Sequence, residues 1–140
     1  MLAGSGLVPF IVCLLLQAAG PDLAARGVHA FIGYAALTLS FLGGMRWGAE
    51  IVRAPDDPSR VRLAAAAVPT VVGLVALLPV LSPVQALALL LFGSIAQLAA
   101  DVRASQAGLL PAWNGRVRTV LTIAGTACTA AMLLIVAPGV

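Results

Sequence analysis

The sequence has no lysine, one histidine, one tyrosine and two cysteines, and only 9% of its 140 residues are charged. Each shortage excludes something. Soluble domains carry about 25% charged residues, so this chain has too few charges for an ordinary water-facing surface. The net charge is +3 and the pI near 9.7, but no basic run is interleaved with exposed aromatics, and no nucleic-acid partner is expected. A lone His29, with no Cys-x-x-Cys and no Cys/His cluster, argues against a protein-ligated metal or attached haem. No cofactor is expected either. Cys13 and Cys128 fall inside apolar runs and read as small hydrophobes. Nucleophile elbow, paired histidines at metal spacing and phosphate loop are all missing, so no catalytic residue is assigned.

What the chain has in abundance is apolar sequence: 61% hydrophobic residues and a mean hydropathy of +1.08. Soluble domains are about 45–50% apolar, which makes this an integral membrane protein. A spanning helix needs about 20 apolar residues, and the chain divides into five such stretches, at about 2–19, 28–53, 61–81, 84–100 and 118–137. The expected architecture is therefore all-α, a single integral membrane bundle of five transmembrane helices over 1–140. Ala18-Ala19-Gly20 loosely resembles a signal-peptide cleavage site. No basic residue precedes the first apolar run, however, so it reads as a retained helix. Gly20-Pro21-Asp22 is expected to break the chain before the second span, and Ser59 to cap the third. Ser82-Pro83 predicts an antiparallel hairpin between the third and fourth spans, and 104–114 is a connector.

The arginines divide unevenly across these spans. Arg46, Arg53, Arg60, Arg62, Arg103, Arg116 and Arg118 fall toward one side and Arg26 alone toward the other. Seven against one places the N-terminus in the cytoplasm and the C-terminus outside a bacterial inner membrane, by the positive-inside rule.

The second span carries the densest pattern. Ala36, Ser40, Gly44 and Gly48 recur every four residues, a ladder of small side chains that lets a neighbouring helix approach closely in lipid. Gly43 and Trp47 adjoin it as further packing residues. Arg46, Glu50 and Arg53 lie on roughly the opposite face, and Arg46 sits about 10 Å of helix rise inside Arg53. An arginine at that depth snorkels or pairs, and Glu50 is the nearest partner in sequence. In the fourth span Gly93, Gln97 and Asp101 share a face, with Arg103 just beyond. Arg46, Glu50, Gln97, Asp101, Arg103 and Arg118 form a candidate polar cluster at the arginine-rich end, with Arg116 beside it. Thr119, Thr122, Thr126 and Thr129 on the fifth span read as a packing stripe whose hydroxyls bond back to their own helix.

Ser40-Phe41-Leu42-Gly43-Gly44-Met45-Arg46-Trp47-Gly48 resembles a motif of a domain-of-unknown-function family of small multi-span membrane proteins, whose animal members are called transmembrane protein 69. The resemblance continues at Asp101-Val102-Arg103, at Pro111-Ala112-Trp113 and from Val117 to Thr122, and so covers nearly the whole chain. Arg46 stands where many relatives have histidine, and Asn114 where an aromatic residue is common. The resemblance implies about five helices and brings no activity with it.

These features point to a non-enzymatic protein that packs against membrane lipid, a membrane-protein partner or a second copy of itself. The alternative is a small permease or an ion or proton pathway using Gln97, Asp101, Arg46 and Glu50. A third possibility, an intramembrane enzyme or quinone-binding subunit, rests on Trp47, Trp113 and Arg46.

Overall fold

The computed structural model describes residues 6–108 and 112–139, with side chains of the second segment from 118 onward. Among them are five α-helices and no strand: α1 Val8–Leu15, α2 Pro21–Arg53, α3 Arg60–Ala76, α4 Pro83–Gln106 and α5 Ala112–Val136. The helical class is as expected, but the span count is corrected. Three helices, α2, α4 and α5 over Arg118–Val136, are long and apolar enough to cross a membrane.

Local chemistry explains the other two. α1 passes into a 3-10 turn at Leu16–Ala18, where the Gln17 side chain donates to the carbonyls of Cys13 and Ala24. Gly20 then turns the chain at φ 107°, a conformation suited to glycine. The beginning of the expected first span, before Gly6, lies outside the described residues. α3 stops at Ala76 instead of reaching Leu81. The Leu77 and Leu78 amides tighten onto the carbonyls three residues back, and Pro79 has no N–H with which to continue the ladder.

The remaining helices begin earlier or run longer than expected. α2 starts at Pro21, because a proline is pre-organised for a first helical position and Asp22 favours the first turn through the helix dipole. The supposed break is thus a helix start. The resulting 33 residues are about 50 Å long, more than a bilayer with its headgroups. Ser82 and Gln85 form a reciprocal capping box on α4. Ser59 caps α3 through the Arg62 amide, as expected.

Packing centres on α2, which contacts every other helix. Phe31 and Leu39 of α2, Leu87 and Leu90 of α4 and Met132 of α5 are fully buried. Phe10 holds α1 on α2 by edge-on contacts with Phe31 and Tyr34, at centroid separations of 5.0 and 4.9 Å. The closest crossing is α2 on α3. A Cβ at Gly43 would lie 2.5 Å from the Ala66 carbonyl oxygen, and one at Gly73 would lie 2.8 Å from that of Ala36. Small residues thus bring two backbones together where apolar burial supplies little adhesion in lipid.

The small-residue ladder divides. Ala36 is buried and Ser40 adjoins Gly73, but Gly44 and Gly48 are exposed, with nothing within 4 Å of an added Cβ. A strict four-residue repeat turns about 40° per step around a helix of 3.6 residues per turn, so Gly48 has rotated about 120° from Ala36. Gly43 takes the inward position that the ladder had offered to Gly44. Trp47 is also exposed.

Candidate binding cleft and its charged end

The arginine-rich end gathers the termini of α2, α3, α4 and α5, and its charges form two groups instead of one cluster. In the first, Glu50 is 6% exposed and accepts from Arg53 Nη2 at 2.8 Å, Arg62 Nε at 2.9 Å and the Ser59 amide at 2.9 Å. This carboxylate ties the end of α2 to the start of α3. Arg62 is the partner that reading α2 alone missed. The Arg46–Glu50 pair suggested by i,i+4 spacing is corrected: Arg46 lies on the α4 side, with Nε 3.9 Å from Asp101.

Asp101 anchors the second group and is 2% exposed. Gln97, one turn earlier on α4, donates to its Oδ1 at 3.1 Å. From α5, Arg118 grips both carboxylate oxygens through Nη2, at 3.1 and 2.9 Å, and adds Nε to Oδ2 at 3.3 Å. Nη2 also donates to the Leu42 carbonyl of α2 at 3.2 Å. Arg118, itself 3% exposed, therefore fastens three helices. Arg103 is exposed and, among the described residues, joins neither group. The Arg116 and Trp113 side chains and Pro111 lie outside the described residues.

Arg118 is also the floor of a cleft. Between α2 and α5 lies an open cavity of about 630 Å³, walled by Leu37, Phe41 and Met45 on one side and by Thr122, Thr126 and Thr129 on the other. Phe10 and Tyr34 bound its far end, where the Tyr34 hydroxyl donates to the Gly6 carbonyl at 2.8 Å. Leu37 and Phe41 are each 67% exposed, so the mouth faces the flank of the bundle.

The threonines do not behave as a uniform self-bonded stripe. Thr129 donates back to the Gly125 carbonyl at 2.9 Å. The hydroxyls of Thr122 and Thr126 are buried without a hydrogen-bond partner, as is Nη1 of Arg118. Buried polar atoms are usually paired, and three unpaired ones in the walls of one cleft form a concentration of unused donors. Sequence spacing placed the threonines on one face but gave no sign of which hydroxyls were engaged. Among the described residues, no three of His, Cys, Asp and Glu are grouped to hold a metal ion.

A helical bundle with three helices of spanning length and apolarity, tied at one end by buried ion pairs, is a membrane protein. Residues 1–134 match the family described as protein of unknown function DUF3429, and the chain belongs to it. It is 31% identical over 120 residues to transmembrane protein 69 of Xenopus tropicalis, an alignment covering 85% of this chain and 47% of that protein. The chain thus spans about half the length of that relative. No solved structure matches.

Proposed function

We propose that this protein acts by packing within the bilayer against a partner protein or lipid, without catalytic chemistry of its own. The observation that carries the reading is how its buried charges are used. Glu50 and Asp101 each accept several hydrogen bonds from arginines of the same chain, while the cleft and the Gly44/Gly48 strip remain uncovered. A carboxylate held this way serves as a structural tie rather than a proton acceptor.

The arginine distribution supports a multi-pass arrangement in a bacterial inner membrane, with the N-terminus and the arginine-rich end in the cytoplasm. A pathway through Gln97, Asp101, Arg46 and Glu50 is the weaker reading, because Gln97 and Asp101 are buried in mutual contact and Glu50 is held by a different set of partners. Native mass spectrometry of the protein taken with its surrounding lipid into nanodiscs tests the packing reading. A stoichiometric partner protein, second copy or lipid is the expected result. A bare chain carrying nothing would overturn it and make transport assays the next step.

A further inference from the structure

Resting on the packing reading, we propose that the cleft between α2 and α5 is a site for one anionic phospholipid, its phosphate at Arg118 and one acyl chain along the cleft. Charge is the first argument. Arg46 and Arg118 face the single carboxylate of Asp101, so two cations against one anion leave one positive charge in the group that Arg118 joins to the cleft. A phosphodiester carries the single negative charge that completes it.

Donor chemistry is the second argument. Arg118 Nη1 and the Thr122 and Thr126 hydroxyls are buried and unpartnered, and all three residues line the cavity. Guanidinium and hydroxyl groups suit phosphate and ester oxygens, which only accept hydrogen bonds. A small opening of the walls presents Arg118 Nη1 to the phosphate and the Thr122 hydroxyl, about 6 Å deeper along α5, to the glycerol ester oxygens, while Thr126, about 12 Å deeper, lies beside the acyl chain.

Length is the third. The α5 wall runs from Arg118 to Thr129 and the α2 wall from Tyr34 to Met45, each about 16 Å of helix rise. That is about half of a 30 Å hydrocarbon core, the depth of one leaflet. Arg118 lies six residues inside the start of α5, about 9 Å along the axis. Its depth suits the boundary between headgroups and hydrocarbon, leaving the remaining cleft for the chain. The walls there are mostly apolar surface, with Leu37, Phe41, Leu42 and Leu121 set beside the threonines, and the mouth opens on the flank where lipid enters. A volume of 630 Å³ is within the usual range for small-molecule sites of about 300–1,000 Å³.

The test is native mass spectrometry from nanodiscs of equimolar phosphatidylglycerol and phosphatidylcholine, on the full chain. One retained phosphatidylglycerol per chain is expected, favoured over phosphatidylcholine by about tenfold, or about 1.4 kcal/mol. Arg46→Gln, Asp101→Asn and Arg118→Gln together remove the net positive charge while leaving no unpaired carboxylate, and should bring the ratio to parity. Thr126→Trp, which keeps the ion pair and fills the cleft, should abolish retention of either lipid. Undiminished phosphatidylglycerol in both folded variants would mean an adventitious lipid only and overturn the site. Retention of a partner protein without phosphatidylglycerol would overturn the lipid site and leave the packing reading standing. A bare wild-type chain would overturn both.

Discussion

Gly43 and Gly44 are neighbours in sequence, yet alanine at these two positions should have opposite consequences. At Gly43 the added methyl lies 2.5 Å from the Ala66 carbonyl oxygen and 3.3 Å from both Cβ and Cγ of Pro69. Carbon–oxygen contacts close at about 3.3–3.6 Å, so α2 and α3 must separate by close to 1 Å. Backbone cannot swing aside as a long side chain does. The shift also disturbs the second close approach, between Gly73 and the Ala36 carbonyl. Overpacking of this kind costs about 1–3 kcal/mol. At Gly44 an added Cβ meets nothing within 4 Å, and replacing a helix-interior glycine by alanine there should stabilise by about 0.5–1 kcal/mol. Unfolding by increasing sodium dodecyl sulfate in mixed micelles, followed by far-UV circular dichroism, measures both variants against the parent chain. Gly43→Ala should unfold at clearly lower detergent fraction and Gly44→Ala at a slightly higher one than the parent. Equal shifts, or a Gly43→Ala variant as stable as the parent, would refute the close α2–α3 crossing.

Other expectations follow from the ties at the charged end and from the caps. Asp101→Asn should destabilise the bundle by about 3–5 kcal/mol, because Arg118 and Arg46 are left without their anion. Adding Arg118→Gln should recover part of that loss, and a double-mutant cycle with purely additive effects would contradict the pairing. Glu50→Gln should be more harmful than Arg53→Ala in the same unfolding assay, since Glu50 also holds Arg62 and the Ser59 amide. Equal effects would deny it the role of tying α2 to α3. Ser82→Ala should cost about 1 kcal/mol through loss of the α4 cap, and an unchanged unfolding midpoint would show the capping box to be idle. Gly44→Leu should leave the isolated chain's stability nearly unchanged while dissociating any copy or partner seated on the Gly44/Gly48 strip, as read by cross-linking in membranes. Unaltered cross-linking would remove the strip from consideration as an interface.

Spacing along one helix showed which contacts were available, and docking between helices decided which of them were made. Gln97 and Asp101 are one turn apart, and their hydrogen bond follows from spacing alone. Asp101 meets Arg118 only after α4 and α5 dock, and Glu50 finds Arg62 only across the α2–α3 turn. Spacing on α2 favoured Arg46 for Glu50 because it contained no information about the neighbouring helices. The same limit applied to the glycines: a four-residue rule selected Gly44, whereas the rotation of the real helix put Gly43 against α3. Helix class was legible because hydropathy controls it. Span count was not, since α1 and α3 end through a glutamine bonding to carbonyls and through a proline, events that leave hydropathy high. The cleft had no sequence signature beyond the threonine face, because its existence depends on how far α2 and α5 stand apart.

The Asp101–Arg118 pair also bears on how the protein is made. Alone, either charge entering hydrocarbon on its own helix is unfavourable, by as much as about 2.5–3.5 kcal/mol at the bilayer centre on translocon scales. Joined across the intervening connection, Asp101 and Arg118 cancel each other's charge between the two helices. Biosynthesis should therefore favour release of α4 and α5 into the bilayer as one hairpin, with α4 waiting at the translocon until Arg118 has emerged from the ribosome.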